Sequence, residues 1–482
     1  MLTAIQKMLK IAGFVVQRLH DVFSYDLTLP SSGSDDVAIF YGDNGSGKTT
    51  LLKLMFHMLC HAGDKGHLSA IFRIPFSSAK ITLSDGTTIS ARRDNSPTGL
   101  PVNFEINRPD RVAVRYTFVP ERFKHRIMEE AVEREFAKVG VNTKKYQRLS
   151  DPIFLRRVRE TALEHSSEVA HNNYISALKE LSLTPYFLGT DRRIISDAIE
   201  PWALNKRESD GTAEEEIAKL RASYLRDALG RGARFLSRQI IKASNVGSKN
   251  VNDFYAEIIG RIARRDVDEL PPESRSLRSV MADLFRLQRR QRRFVRLGLS
   301  PDLDVHSFIP DIDTIPDANK LLLEKVLVPY VASLRARLDA MEPIRETVET
   351  FVRGLNSFFT FKRIVYQPAN GFSIIGPSGG TLEVEQLSSG EQQLLLIFCH
   401  VLASNEKQSI FIIDEPEISL NVKWQREILE SLSKITRGSE NQLMVATHSI
   451  ELLSQHSDSV VVLDPVISRG KQPIYDIVRE ED

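Results

Sequence analysis

One short stretch near the N-terminus restricts the fold of this chain more than any other. It reads "GDNGSGKTT", from Gly42 to Thr50, and contains the pattern G-x-x-x-x-G-K-[ST]. The apolar run "VAIFY" before it predicts a strand, and "KTTLLKLMFHMLCHAG" after it predicts a helix that ends at Gly63. Strand, glycine loop and helix in this order predict a phosphate-binding loop, because backbone N–H groups at a helix N-terminus attract an anion. The alternative is a glycine turn that only caps the helix.

The residues of this loop have separate predicted roles in binding ATP and Mg²⁺. Lys48 would reach the β- and γ-phosphates, and the hydroxyl of Thr49 would bind the metal ion. The predicted nucleotide-binding residues of the loop are Gly42, Asp43, Asn44, Gly45, Ser46, Gly47, Lys48, Thr49 and Thr50.

A second motif lies far downstream, where the apolar run from Ile410 to Ile413 ends in two acids. Such a run predicts a buried strand, and in an α/β sheet the ligand lies beyond the carboxyl ends of the strands. We therefore expect Asp414 to hold the Mg²⁺ shell and Glu415 to orient or deprotonate the attacking water as the catalytic base. The alternative for two acids after a strand is a solvated strand end.

The run "MVATHS" predicts another buried strand and places His448 at its carboxyl end. The helical pattern "NVKWQREILESLSKI" separates this strand from the acidic one, so the two strands are expected to be parallel. We expect His448 to act in catalysis as a sensor of the γ-phosphate. The alternative for a lone histidine is a structural role.

A second glycine turn opens the stretch "LSSGEQQLLLIF", from Leu387 to Phe398. Its apolar half predicts a buried helix, and its Ser-Ser-Gly-Glu half places hydroxyls and backbone N–H groups at the start of that helix. A simple Ser-capped buried helix accounts for the cap and for the apolar run. It does not account for the order of the motifs along the chain.

Taken in order, "GDNGSGKTT", "LSSGE", "IIDEPE" and "THS" resemble the motifs of ABC-type ATPases of the RecF, SMC and OLD group. The resemblance covers two core lobes and implies an α/β fold, the ABC-type P-loop NTPase fold with a mixed sheet and helices, interrupted by a large helical insertion. It also implies that "LSSGE" is the signature motif, which binds the ATP held by the other subunit of a head-to-tail homodimer. The residues assigned to ATP in this way are Ser388, Ser389, Gly390 and Glu391.

The same resemblance implies two further loops. "EISLNVKWQ" resembles the D-loop that crosses the dimer interface, with Ser419 to Asn421 as the expected contacts. No glutamine stands out as the Q-loop residue, and the basic turn "GTDRR", from Gly189 to Arg193, is our candidate for that place. The alternative for this turn is a surface arginine pair.

The order of strand-like and helix-like patterns predicts a sheet domain into which helices are inserted. We assign residues 1–120 to the N-terminal part of the ATPase core, which carries the glycine loop. Residues 121–359 form a mainly helical insertion with a short core-like strand near 185–193. Residues 360–482 form the C-terminal part of the core, with the signature motif, the acidic pair, the D-loop and His448.

Composition bears on the partners and on the compartment. The 64 Lys and Arg residues balance the 63 Asp and Glu residues, so the overall charge gives no reason to expect a nucleic-acid or membrane partner. No uncharged apolar run is long enough to cross a bilayer, and the cysteines, Cys60 and Cys399, lack the spacing of a metal site. We therefore expect a cytoplasmic protein without a membrane partner, whose cysteines are buried packing residues.

A local exception to the balanced charge lies between Arg261 and Arg296, where the chain contains "FRLQRRQRRFVR". Such a run predicts contact with a phosphate backbone or with an acidic partner protein. The alternative is a solvated helix face, and we expect the nearby Phe285 and Phe294 to pack inward rather than stack on bases.

The domain layout narrows the resemblance. Only a short tail follows His448, so we expect no TOPRIM nuclease domain of the kind that OLD-type proteins carry after the ATPase. The insertion is too short for a cohesin-length coiled coil. What remains is similar to stand-alone ATPases of bacterial anti-phage systems, such as AriA of PARIS and PtuA of Septu.

This narrower resemblance implies a sensor or scaffold ATPase. Its subunits would form a homodimer around two ATP molecules, or a higher homo-oligomer, and control a separate effector that is a nuclease or a toxin. The alternative is a RecF/SMC-like ATPase of DNA repair or recombination that binds DNA directly. The third hypothesis is a structural protein with a vestigial nucleotide site, which predicts no ATP turnover.

Overall fold

The computed structural model describes residues 9–30, 37–62, 66–93, 101–120, 168–190, 194–196, 222–245, 256, 276–307, 314–405, 408–418, 420–436, 441–453 and 456–467. The chain divides into two units. The first comprises Met1–Glu208 and Lys407–Asp482, and the second comprises Ser209–Glu406.

In chain order the strands and helices are β1 (Ile11–Leu19), β2 (Phe23–Thr28), β3 (Val37–Tyr41), α1 (Lys48–Leu59), α2 (His67–Arg73), β4 (Ser78–Leu83), β5 (Thr88–Arg93), β6 (Val102–Asn107), β7 (Val114–Phe118), β8 (Thr184–Leu188), β9 (Ile194–Ser196), α3 (Leu277–Arg296), α4 (Asp317–Phe358), β10 (Arg363–Gln367), β11 (Gly371–Ile375), β12 (Thr381–Leu382), α5 (Ser389–Ser404), β13 (Ser409–Asp414), α6 (Val422–Thr436), β14 (Asn441–Thr447), α7 (Ile450–Leu453), β15 (Val460–Val462) and β16 (Val466–Ile467). Residues 168–180 and 222–245 are also helical.

A six-stranded sheet in the first unit has the order β15-β3-β14-β13-β8-β9. All neighbouring strands in it are parallel except β8 and β9, so the sheet is mixed, as predicted. Every residue of β13 and β14 is buried, because both faces of the sheet are covered. The predicted α/β class is confirmed.

The register of this sheet determines where the site lies. Asp414 at the end of β13 pairs with Ala446 of β14, and Thr447 at the end of β14 pairs with Tyr41 of β3. The strands that precede the glycine loop, the acidic pair and His448 therefore end at the same edge of the sheet. This is the arrangement that the sequence predicts for neighbouring parallel strands.

A second sheet in the same unit has seven strands in the order β16-β2-β1-β4-β5-β6-β7, with antiparallel pairing throughout. A hairpin turn at Asp85 and Gly86 joins β4 to β5, and Gly86 has a positive φ of 87°. The inward side chains of this seven-stranded sheet, such as Phe14 and Ile81, belong to the same buried core as those of the six-stranded sheet.

A buried side chain links the two sheets. Gln442 of β14 is only 4% exposed, and its amide makes two hydrogen bonds with the backbone of Ile11 in β1. Its Oε1 accepts from the Ile11 N–H at 2.8 Å, and its Nε2 donates to the Ile11 carbonyl at 2.9 Å. These bonds satisfy one backbone donor and one acceptor in the interior, where an unpaired group is costly.

Helix α1 begins at Lys48, as expected, and packs on β8 and β13. Its apolar residues, including Leu51 and Met55, are fully buried. The predicted end at Gly63 is wrong, because the helix stops at Leu59 and Cys60 takes an extended conformation. The apolar pattern extends one residue past the helix to Cys60, which is buried, so periodicity alone misplaced the helix end.

The second unit combines long helices with a three-stranded antiparallel sheet of order β10-β11-β12. Helix α4 contacts α3, β10 and α5. The core of this second unit is rich in aromatic rings. The centroid of the Phe351 ring lies 4.9 Å from that of Phe372 and 6.2 Å from that of Phe398. The predicted burial of the apolar half of "LSSGEQQLLLIF" is confirmed, because Leu394 to Phe398 lie inside α5 and are buried.

Two smaller expectations concern individual side chains. Cys60 and Cys399 are buried, as predicted, and they form no disulfide bond with each other. Phe294 is fully buried, whereas Phe285 is partly buried with its ring centroid 5.1 Å from that of His306. Within the described ranges, no helix is both long enough and apolar enough to span a lipid bilayer.

Candidate functional site

The glycine loop joins β3 to α1. Gly45 and Gly47 have positive φ angles of 85° and 80°, which residues with a Cβ rarely adopt. Gly47 directly precedes the first residue of α1, so the N–H groups of the loop lie at a helix N-terminus, where an anion is favoured. The Tyr25 hydroxyl donates to the Ser46 carbonyl and restrains the loop from the side of β2, and burial raises the pKa of Tyr25 to about 12.

The side chain of Lys48 folds back over the loop. It is 5% exposed, and its ammonium donates to the carbonyls of Gly42 at 2.7 Å and Asp43 at 2.8 Å. A buried ammonium needs such partners, because removing a charge from water is expensive. The positive charge is therefore held above the loop that the sequence predicts to bind phosphates.

Asp414 lies at the carboxyl end of β13 and is 2% exposed. Among the described residues, neither of its carboxylate oxygens has a hydrogen-bond partner. Burial raises the pKa of Asp414 above its usual range. The hydroxyl of Thr49 is close enough to oppose this rise, although it makes no hydrogen bond of normal geometry, and the charge of Glu415 adds to the rise.

These two residues fit a magnesium ion. A buried carboxylate with two unpartnered oxygens is stable beside a cation, and the Thr49 hydroxyl is the oxygen ligand that a phosphate-binding loop supplies. Mg²⁺ is usually held by one or two protein oxygens together with phosphate oxygens and waters. In the described part of the chain, no cluster of three or more His, Cys, Asp or Glu residues is placed to hold a metal ion.

Glu415 has a left-handed backbone with φ of 51°, which is rare for a residue with a side chain. Its N–H donates to the Ala446 carbonyl of β14 at 2.9 Å, and this bond fixes the chain as it leaves β13. Such a conformation costs on the order of 1–3 kcal/mol and persists only where the surrounding structure imposes it. Glu415 is thus held in an unfavourable backbone conformation at the edge where the three motifs meet.

The structure brings the predicted base and the predicted sensor together. The Nδ1 atom of His448 lies 3.4 Å from Oε1 of Glu415 and 3.3 Å from Oε1 of Glu417. The side chain of His448 is 45% exposed, so one side of the ring is open to solvent. His448 therefore lies between two carboxylates.

Glu417 was not predicted as a site residue, although it belongs to "IIDEPE". It is 6% exposed, and its Oε1 accepts from the Thr447 hydroxyl at 2.6 Å and from the His448 N–H at 3.1 Å. Its Oε2 is buried and has no hydrogen-bond partner among the described residues. The acidic loop after β13 is thereby attached to the end of β14.

The predicted signature residues lie in the second unit. Ser388 caps α5 in a capping box, in which the Glu391 N–H donates to its hydroxyl at 3.3 Å and the Ser388 N–H donates to the Glu391 carboxylate at 2.7 Å. Ser388 and Ser389 are exposed, whereas Gly390 is buried. The turn therefore presents two hydroxyls and the start of a helix to solvent.

Lys362 is a second residue that the sequence did not reveal. Its ammonium donates to Glu391 at 2.8 Å and to the Gln386 carbonyl at 3.0 Å. Burial acts to raise the pKa of Glu391, but the hydrogen bonds from Lys362 and Ser388 outweigh it and hold this pKa below its usual range. The carboxylate of Glu391 is thus engaged within its own turn.

Other predicted positions are only partly described. Asn421 accepts a hydrogen bond from the Trp424 N–H at 2.9 Å at the start of α6, while Ser419 lies outside the described residues. Of the basic turn proposed for the Q-loop, residues 191–193 also lie outside them. An unpredicted contact reaches the glycine loop, since Nε2 of His20 lies 3.1 Å from the Thr50 hydroxyl.

The fold and the site together define a P-loop ATPase of the AAA/ABC type. The family model described as "AAA domain, putative AbiEii toxin, Type IV TA system" matches residues 205–454, more than half of the chain. The chain belongs to this family of AAA domains. The matched range contains Ser388 to Glu391, the acidic pair and His448, and it begins after the glycine loop.

Two curated relatives are import ATP-binding proteins. MetN, the methionine import ATP-binding protein of Corynebacterium jeikeium (strain K411), is 32% identical over 95 residues, which is 19% of this chain and 24% of MetN. ZnuC, the zinc import ATP-binding protein of Wigglesworthia glossinidia brevipalpis, is 26% identical over 152 residues, 31% of this chain and 61% of ZnuC. The chain thus spans less than two thirds of either relative.

Two solved structures of Smc heads are also similar. One is the head domain from Pyrococcus furiosus with an extended coiled coil, bound to the C-terminal domain of ScpA, with a TM-score of 0.39, 12% identity and 96% of each chain covered. The other is the head domain from Thermotoga maritima, with a TM-score of 0.30, 12% identity and coverage of 95% of this chain and 99% of that one.

The burial of Asp414 leads to a prediction about stability. Asp414→Asn should stabilise the protein without nucleotide by about 1–3 kcal/mol, because it removes a charge that is buried without a partner. Folding raises the pKa of Asp414, so the ionised carboxylate destabilises the wild-type protein. This destabilisation is complete at pH values above the pKa of the folded state and disappears below the pKa of the unfolded state. The stability gained by Asp414→Asn should therefore be largest near neutral pH and shrink as the pH falls toward 4.

Thermal unfolding of both proteins across this pH range measures the effect. Asp43→Asn, at an exposed position of the glycine loop, removes the same charge without the burial and should leave the melting temperature nearly unchanged. Equal stability of wild type and Asp414→Asn at neutral pH would contradict the assigned cost of the buried carboxylate.

Proposed function

We propose that this protein binds ATP with Mg²⁺ and hydrolyses it to ADP and phosphate. The observation that carries the proposal is the buried carboxylate of Asp414, with both oxygens unpartnered among the described residues, close to Thr49 of the glycine loop. Structural carboxylates in protein interiors are normally paired. One left unpaired beside a phosphate-binding loop is expected where a cation binds.

The proposed roles follow from position. Lys48 would exchange its two carbonyl partners for the β- and γ-phosphates, and Thr49 and Asp414 would hold Mg²⁺, whose chemistry is to neutralise charge on the phosphates. Glu415 would accept a proton from the attacking water or orient it. His448, whose ring lies against Glu415, would contact the γ-phosphate.

We propose further that ATP is shared between two copies of the chain. Ser388 and Ser389 are exposed at the start of α5, and their hydroxyls, the N–H of Gly390 and the helix dipole suit a phosphate supplied from outside. Glu391 acts in this proposal by holding the turn through Ser388 and Lys362. The protein would be a homodimer with ATP between subunits, or a higher oligomer built from such pairs.

Dimerisation and hydrolysis should respond differently to three substitutions. Glu415→Gln should bind ATP, hydrolyse it at least about 100-fold more slowly and accumulate as an ATP-bound dimer, because the base is lost while the phosphate contacts remain. Lys48→Ala should lose nucleotide binding, and Ser389→Arg should bind ATP but neither dimerise nor hydrolyse it. Phosphate release and light scattering with and without ATP measure these outcomes.

Mixing two inactive variants tests whether the site is shared. Lys48→Ala keeps an intact signature turn and Ser389→Arg keeps an intact glycine loop, so a mixed dimer contains one complete site. ATP-dependent dimers should therefore reappear in the mixture. The shared site is wrong if the mixture stays monomeric while wild type dimerises, and wild-type turnover by Glu415→Gln would remove Glu415 from the role of base.

We propose a role for the ATPase as the sensor or scaffold of a cytoplasmic anti-phage system that controls a separate effector. The family description names a toxin and a toxin–antitoxin system, and such systems consist of at least two components. Cys60 and Cys399 are buried and form no disulfide bond with each other, which agrees with a reducing compartment.

This role predicts a stable partner. The tagged protein, expressed with its neighbouring genes, should co-purify with one of their products, and Glu415→Gln should retain or release that product differently from wild type. Expression without the neighbouring genes is the matched control. Failure to associate with any neighbouring product, both in growing cells and in infected ones, would end the defence role and leave the ATPase proposal intact.

A second function, direct binding of DNA as in a DNA-repair ATPase, is favoured by one surface. Four exposed arginines lie on a single face of α3 at helical spacing and have no ion pair among the described residues: Arg289, Arg292, Arg293 and Arg296. By contrast, Arg290 is bound by Asp339 and Glu342 of α4, so it is not available to a partner. The phosphate backbone of DNA would fit the face of α3 that carries the four exposed arginines.

Replacing these four arginines by glutamine should weaken binding to duplex DNA at low salt and lower the slope of log affinity against log salt by roughly 3 to 4. Fluorescence anisotropy at several salt concentrations measures both effects. The control is Arg226→Gln with Arg353→Gln, two exposed arginines of the same unit that already form ion pairs with Glu385 and Glu349. Wild-type protein that binds no DNA at low salt would exclude this function.

A further inference from the structure

We propose that Glu417 is a positioning residue that fixes His448 beside Glu415. The inference rests on the proposed ATPase function, because it concerns the γ-phosphate sensor of the same site. The contacts that support it do not depend on that function: one oxygen of the buried carboxylate of Glu417 makes three contacts with the end of β14.

Those three contacts define where His448 can lie. Oε1 of Glu417 accepts from the Thr447 hydroxyl at 2.6 Å and from the His448 N–H at 3.1 Å, and it lies 3.3 Å from His448 Nδ1. The first contact holds the side chain of the residue before the histidine, and the second holds the backbone N–H of the histidine itself. The third limits the rotation of its ring.

The Thr447 hydroxyl extends the same network on the other side. While it donates to Glu417, it accepts from the Ser449 N–H at 2.9 Å, and the Ser449 hydroxyl donates to Gln425 of α6 at 2.8 Å. Thr447 is fully buried, so its hydroxyl has no water with which to replace a lost partner. The segment "THS" is therefore fixed at both ends, and Glu417 supplies the acceptor on the side of the acidic loop.

Glu417 is itself held rigidly. The turn after β13 is closed by two backbone bonds, from the Ile418 N–H to the Glu415 carbonyl at 3.2 Å and from the Leu420 N–H to the Glu417 carbonyl at 2.9 Å. Because Glu415 and Glu417 belong to one turn, a shift of the base would also shift the group that holds the sensor. Both carboxylates that contact Nδ1 of His448 therefore belong to a single short loop.

His448 needs such support because it is nearly half exposed. An exposed ring without fixed neighbours occupies several rotamers and spends little time at a defined distance from a reacting phosphate. Removing the acceptor should therefore reduce turnover much more than nucleotide affinity, since the phosphate-binding loop lies on other elements.

Two substitutions separate the hydrogen bonds from the charge. Glu417→Gln keeps an oxygen that can accept from Thr447 and His448, whereas Glu417→Ala removes it. We expect Glu417→Ala to lower kcat about 10-fold or more with KM changed less than about threefold, and Glu417→Gln to restore most of the loss. If Glu417→Ala does not fold, Thr447→Val removes the same short hydrogen bond from the other side.

The double variant decides whether Glu417 acts through His448. Glu417→Ala added to His448→Ala should cause little further loss of kcat, because the group that Glu417 positions is already absent. Losses that multiply in the double variant would show a separate, structural role and overturn the proposal. Glu451→Gln, an exposed carboxylate on α7, is the matched control and should leave kcat unchanged.

A readout without turnover keeps this result distinct from a failure of the ATPase proposal. In protein labelled with ¹⁵N-histidine, the His448 amide and ring signals, identified by their loss in His448→Ala, should shift in Glu417→Ala and stay in place in Glu451→Gln. Unchanged His448 signals in Glu417→Ala would overturn the inference even if wild type hydrolyses ATP. Shifted signals in a protein that hydrolyses no ATP would support the positioning and reject the ATPase role.

Discussion

The parallel pairing of β3, β14 and β13 is the constraint on which the candidate site depends. Parallel strands in register end at the same edge, so the loops that follow them meet there although the glycine loop is hundreds of residues from the other two in sequence. The side chains of β13 and β14 are packed on both faces, so a slip by one residue would exchange the two sets of packed side chains and disrupt both layers of the core. The geometry of the site thus depends on the pairing of the buried strands that precede its loops.

The edge of this sheet combines groups that oppose folding with groups that support it. Asp414 is a buried carboxylate with a raised pKa, and Glu415 has an unfavourable backbone conformation. Both are tolerated because the neighbouring core, with Ile412 and Met444 fully buried, supplies far more favourable free energy than these two residues cost. Unfavourable features confined to one edge of an otherwise regular sheet are typical of functional sites.

Much of this site could be predicted because its signals are local. Strand, glycine loop and helix are adjacent in sequence, and so are a buried strand and the acids at its end. The role of Glu417 could not be predicted, since its partners lie on another strand and depend on the turn after Pro416. For the same reason the sequence grouped Arg290 with its neighbours, although only the packing of α3 on α4 shows that this arginine is neutralised.

The positive φ of Glu415 limits how this protein can be engineered. Glycine or asparagine would relieve the backbone strain at that position, so a screen for heat resistance alone would tend to replace the residue assigned as the base. Variants selected in this way would be more stable to heat but would no longer hydrolyse ATP. Any directed evolution of this scaffold therefore needs a selection for nucleotide turnover alongside the one for thermal tolerance.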